Sequence, residues 1–180
     1  PLVLFYTGAL MVGSHLPMFI ELHGPVDTDP MRAFGLAKIG GALVLTATLL
    51  VWRRDSLMRL LLSTALMVLA MVLLGVSTVL PILGVAIMFE LALNIAGAAF
   101  MGEVARTGPT AAHPFIPAAG LAGIAAGPSV GAYVAAALSP AALLAVAIGV
   151  VVVSLALYIN RRQWVVPIVL VAATTALSFG

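Results

Sequence analysis

Residues 120 to 133 read Gly-Leu-Ala-Gly-Ile-Ala-Ala-Gly-Pro-Ser-Val-Gly-Ala-Tyr, a run apolar enough to lie in a bilayer. Gly123, Gly127 and Gly131 recur every fourth residue. At helical pitch they fall on one face, where the missing side chains let another helix approach closely. Pro128 stands inside the run. It removes one backbone donor and should bend the helix, which a membrane tolerates where neighbouring groups satisfy the freed carbonyl. A smooth, bent face suits a helix that packs tightly and rocks. A generic packing helix would carry the same residues, so the rest of the chain has to decide between the two.

Hydrophobic residues make up 63% of the 180 positions and charged residues 8%, with a mean hydropathy of +1.24. A soluble domain carries roughly 25% charged residues, so the composition is that of an integral membrane protein. The net charge of +2 is small and the arginines are scattered, which argues against nucleic acid as a partner. With no cysteine, disulfides, thiolate metal sites and cysteine nucleophiles are excluded. Pro1 precedes an apolar run that starts at Leu2 without a basic n-region, so the start does not read as a signal peptide. It reads instead as a segment of a longer chain.

A spanning helix needs about 20 apolar residues. Six such spans are expected, at about 2–21, 33–52, 57–76, 79–101, 115–138 and 141–159. The segment 23–32 holds Gly24, Pro25, Asp27, Asp29 and Pro30, which are strong loop signals. Segment 102–114 is read as a loop carrying Glu103, Arg106, Gly108, Pro109 and His113, and Ser139-Pro140 as a tight turn. The apolar tail 163–180, interrupted by Pro167, is marginal as a span.

If the first span starts on the cytoplasmic side, that side holds Arg53, Arg54, Arg59, Arg106, Arg161 and Arg162. The other side holds only Arg32 and Lys38. Six against two is the positive-inside bias of six spans with both ends in the cytoplasm. Trp52 and Trp164 stand beside cytoplasmic basic residues, as interface anchors do. The expected location is the cell (inner) membrane.

Ionisable groups within a span are costly and face protein or water. Glu90 is the clearest case, near the middle of the fourth span, with Asn94 one turn later on the same face. Two readings stand for this pair. Either it walls a polar cavity, with Glu90 binding substrate or carrying a proton, or a protonated Glu90 is glue between helices. In the first span Thr7, Met11, Ser14 and Met18 share a face, with His15 at its edge. This soft, partly polar face suits a path for small molecules, and His15 is a candidate proton carrier. The plain alternative is hydrogen bonding between helices. Glu21 and Lys38, near the outer interface on adjacent helices, read as a pair or as snorkelling side chains.

The pattern Gly123-x-x-x-Gly127-Pro128-x-x-Gly131 resembles the glycine-proline signature in the fifth and eleventh helices of major facilitator superfamily transporters. The family's fullest version ends in Gly-Gly, where this chain has Gly131-Ala132, and its earlier glycine falls here on Pro114. The loop Arg53-Arg54-Asp55-Ser56-Leu57-Met58-Arg59 lies where these transporters carry Asp-Arg-x-Gly-Arg, a charged latch between halves. It lacks the glycine and has Asp55 after the arginines, like the degenerate copy of the second half. Topological positive charge alone would also explain it. The fourth span has no arginine within it, and Glu90 to Arg106 with Asn94 and Thr107-Gly108 looks like a tenth helix and its following loop. The resemblance therefore implies the C-terminal half, with a first half followed by extra spans left open by the apolar tail.

What this implies is an all-α polytopic membrane bundle of six transmembrane helices, arranged as two three-helix inverted repeats. Paired with the other six-helix half, it would move a small molecule by alternating access, driven by the substrate gradient or by protons in efflux. Glu90, Asn94, His15, Ser14 and Thr7 would line the path. No phosphate-binding Gly-x-x-x-x-Gly-Lys-Ser/Thr loop and no His-Glu-x-x-His pair is present, so no cofactor, metal or enzymatic activity is expected. The competing class is a structural or assembly subunit of a membrane complex without a path of its own.

Overall fold

The computed structural model describes the backbone of residues 1–25, 29–51, 56–76, 81–108, 110 and 113–178, and their side chains up to residue 160 apart from 45–51 and 56. Within these residues the chain forms α1 (Leu2–Gly13), α2 (Leu16–His23), α3 (Pro30–Val51), α4 (Ser56–Val76), α5 (Ile82–Thr107), α6 (Phe115–Ala137) and α7 (Pro140–Ser178). Among the described residues there is no strand. Five stretches are long and apolar enough to cross a membrane: Leu2–His23, Leu57–Val76, Ile82–Thr107, Phe115–Ala137 and Pro140–Asn160. The chain is an all-helical integral membrane protein. The remaining expected span, 33–52, falls on α3, whose last side chains lie outside the described residues.

Two helices begin with the same local device. Asp29 Oδ1 accepts hydrogen bonds from the backbone N–H of Met31 (3.0 Å) and Arg32 (3.2 Å), with Pro30 at the first helical position. Ser139 Oγ accepts from Ala142 N–H at 3.0 Å, with Pro140 in the same place. A side-chain acceptor satisfies donors that the first turn leaves unpaired, and proline needs no partner there.

The first expected span is not one straight helix. Pro17 offers no N–H to the Gly13 carbonyl and its ring crowds that turn, so α1 ends at Gly13 and α2 starts at Leu16. At the joint the His15 N–H turns to the Val12 carbonyl at 2.9 Å, one residue short of α-helical spacing. Two further boundaries differ from the sequence reading. α5 runs on to Thr107, so Glu103 and Arg106 lie on a helix and not in a loop. α7 continues past 159 without a break, and the apolar tail to Ser178 is part of it.

α1 lies along α6 and α7, while α5 lies along α4 and α3; α2 packs on α3 and α5. Phe5, Phe19, Phe89, Phe100, Met67 and Met71 are fully enclosed. Three edge-on ring contacts tie α1, α5 and α7 together: Tyr6 to Phe5 at 5.5 Å, Phe5 to Phe100 at 5.1 Å and Phe100 to Tyr158 at 5.1 Å.

The buried stripe of α6 is Ile116, Gly120, Gly123, Gly127, Gly131 and Val134. A Cβ added to Gly123 would sit 2.5 Å from the Val3 carbonyl oxygen and 2.7 Å from Tyr6 Cβ. One on Gly127 would sit 2.6 Å from Leu10 Cβ and 3.0 Å from the Thr7 carbonyl oxygen. These neighbours are backbone or backbone-adjacent atoms of α1 and cannot swing aside. Gly127→Val is therefore expected to destabilise the fold by about 1–3 kcal/mol through overpacking. Gly149→Ala, where an added Cβ meets nothing within 4 Å, should leave stability unchanged. Thermal unfolding of both variants in detergent checks this.

Candidate functional site

The site is built where α3 crosses α5. Gly40 and Gly41 bring the two backbones together: a Cβ on Gly41 would sit 2.9 Å from Glu90 Cβ and 3.1 Å from the Leu91 nitrogen. Lys38, three residues before Gly41, then reaches the Glu90 carboxylate, with Nζ 2.9 Å from Oε1. Lys38 thus joins Glu90 and not Glu21, which is exposed at the end of the first span. The two partners are unequal, since the Glu90 side chain is 2% exposed and that of Lys38 is 44% exposed.

Oε1 receives no aligned hydrogen bond despite this short distance, so the contact is an off-axis ion pair. It is the distance that matters for the charge: at this depth a carboxylate without a counter-charge would be strongly destabilising. The Lys38 ammonium also lies 5.0 Å above the Phe34 ring, whose electron-rich face favours a cation. Asn94 is exposed on the next turn of α5, and its amide donates to the Glu90 backbone carbonyl at 2.7 Å.

The polar residues of the first span form a second, separate set. Ser14 Oγ donates to the Leu10 carbonyl at 2.7 Å, and His15 Nδ1 lies 2.8 Å from the Met11 carbonyl oxygen and 3.0 Å from Ser14 Oγ. A carbonyl only accepts, so Nδ1 carries a proton. This hydrogen bond replaces the one that the Met11 carbonyl loses at the α1–α2 joint. Gly131 passes close by, for a Cβ there would meet the Met11 carbonyl oxygen at 2.8 Å and His15 Cε1 at 2.9 Å. Thr7 is half-buried, with its backbone against Gly123 and Gly127, and Met11 is fully buried. Much of the first-span face read as a path is thus the face on which α6 packs.

No hydrogen bond joins Ser14 or His15 to Glu90 or Asn94 among the described residues. Next to the joint α1 meets α5 through apolar side chains, Phe89 and Leu93 against Gly13, and further along the Tyr6 hydroxyl lies against Gly97. Pro128 lies within α6, which continues through it to Ala137. Of the basic loop, Arg53 and Arg54 lie outside the described residues. Arg59 stands in the first turns of α4, half-buried, with its Nε enclosed and without a hydrogen bond.

A further polar cluster went unread in the sequence. Glu103 on α5 is fully buried and takes two hydrogen bonds from Arg106, Nε to Oε1 at 3.1 Å and Nη2 to Oε2 at 3.0 Å. Tyr158 on α7 donates to Oε2 at 2.8 Å. Thr107 Oγ1 donates to the Glu103 carbonyl at 2.7 Å and lies 3.4 Å from the Tyr158 hydroxyl. The i, i+3 spacing of Glu103 and Arg106 was a signal available in the sequence; Tyr158, 55 residues away, carried none.

Compared with protein-family models, curated proteins and solved structures, the chain finds no match. The reading of the site therefore rests on its own geometry. For the Glu103 cluster that geometry gives a direct expectation. Tyr158→Phe removes a hydrogen bond to a buried charged group and should cost about 1.5–3 kcal/mol. Unfolding of the variant, followed by loss of helical circular dichroism on heating, measures it.

Proposed function

We propose that the chain is one half of a secondary transporter of the major facilitator type, moving a small molecule across the membrane by alternating access with a second six-helix half. The observation that carries this reading is the Lys38–Glu90 pair. A carboxylate and an ammonium held away from the helix ends, one enclosed and one half-open, mark a pathway more readily than a structural joint. Asn94, exposed beside them, adds an uncharged polar group to the same wall.

The packing order supports the same reading. Taking α1 with α2 as one span, the first triplet is α1–α2, α3 and α4, and the second is α5, α6 and α7. The first member of each triplet lies against the second and third members of the other: α1 against α6 and α7, α5 against α3 and α4. Two inverted repeats exchange partners in this way. In this reading the glycine face of α6 serves close packing and rocking on α1, and the cytoplasm holds both ends of the six-span unit. The carboxylate and its lysine, with Asn94, form the substrate path, and Ser14 and His15 stiffen the joint of the first span.

The test is uptake into proteoliposomes by the complete transporter. Lys38→Gln and Glu90→Gln should each lower uptake at least about tenfold, a loss of about 1.4 kcal/mol. Glu21→Gln, at an exposed position outside the pair, should transport like the parent. Parental uptake by both pair variants would remove the site from the path and favour an assembly role.

A further inference from the structure

We infer that the Lys38 ammonium is a binding site for an anionic group, a carboxylate or a phosphate, and that the molecule recognised here is an anion. This rests on the transport reading and gives it a substrate class. The asymmetry of the pair decides the sign. Glu90 is 2% exposed and Lys38 44% exposed, so a ligand arriving from the open side meets the positive partner first. A cationic ligand would have to displace Lys38 to reach a carboxylate that is otherwise enclosed.

Geometry leaves the ammonium with capacity to spare. It carries three N–H donors and no acceptor. Glu90 stands on one side of it, and Oε1 is approached off-axis with no aligned hydrogen bond. The donors on the open side are thus free to meet an anion, as a point charge binds carboxylate or phosphate oxygen. Phe34, 5.0 Å from Nζ, holds the ammonium from another side without competing for its donors. Glu90 is then the positioning residue: its enclosed carboxylate, 2.9 Å from Nζ, holds the Lys38 ammonium in place with its remaining donors toward the open side. Gly41 completes the arrangement, because any Cβ there would push α3 off Glu90 and carry Lys38 with it.

Lys38 is the one lysine of this sequence, so acylation within it reports on a single side-chain amine. The complete protein, in lipid nanodiscs, is treated with a small amine-reactive acylating reagent, and acylation of the Lys38 peptide is timed by mass spectrometry. Benzoate and inorganic phosphate are added as the probe anions, tetramethylammonium as the cation and glucose as the neutral solute. At a concentration about ten times its Kd, a protecting anion should slow acylation roughly tenfold. Which of the two anions protects separates carboxylate from phosphate recognition. In Glu90→Gln the protecting anion should slow acylation severalfold less than in the parent, since the ammonium loses the carboxylate that holds it in place.

Equal acylation rates with and without both anions, or protection by tetramethylammonium, would overturn the anion site. Undiminished anion protection in Glu90→Gln would remove Glu90 from its positioning role. The two readings fail separately. An unprotected Lys38 in a protein whose uptake still needs Lys38 and Glu90 leaves the transporter and ends the anion. A protected Lys38 whose replacement spares uptake leaves an anion site that lies off the path.

Discussion

Two helix crossings made at glycine govern the shape of this bundle: α6 on α1 and α3 on α5. Between helices in lipid the hydrophobic effect gives no net attraction, because an acyl chain is as good a neighbour as leucine. Association then depends on how closely backbones approach and on polar contacts between them. The α6 stripe answers this with Gly123, Gly127 and Gly131 laid directly over the carbonyls of Val3, Thr7 and Met11. Gly41 does the same for α3 over Glu90. The second crossing has an electrostatic result as well as a packing one, since it fixes the distance at which Lys38 meets the carboxylate.

Glu90 and Glu103 are both buried carboxylates on α5, yet they are satisfied in different ways. Glu103 is held by aligned hydrogen bonds from Arg106 on its own helix and Tyr158 on α7. Such a cluster locks α7 onto the end of α5 and leaves little for a ligand to improve. Glu90 has a counter-charge at contact distance but no aligned donor on Oε1.

Much of the helical layout was legible in the sequence, because a 20-residue apolar run has few alternatives and the polar loops between runs are plain. Hydropathy ends α5 too early, since it counts Glu103 and Arg106 as two charges when on a helix they neutralise each other at one turn's spacing. The break in the first span was also missed. Uniform apolarity across 2–21 hides a single proline whose effect is local and depends on one absent donor. Of the site, Glu90 and Asn94 stand out in any reading of charge within a span. Their partner did not, for Lys38 and Glu90 meet only because two helices cross at Gly40 and Gly41. Position along the chain placed Lys38 with Glu21; the tertiary crossing pairs it with Glu90 instead.

The interruption between α1 and α2 bears on how such a rod can tilt. A straight helix that bends in hydrocarbon must bare peptide oxygens to a solvent that offers them nothing. At Ser14 and His15 two of those oxygens are already served by a hydroxyl and an imidazole. The first rod therefore carries a braced elbow, in which side chains of the joint itself cover the oxygens of Leu10 and Met11.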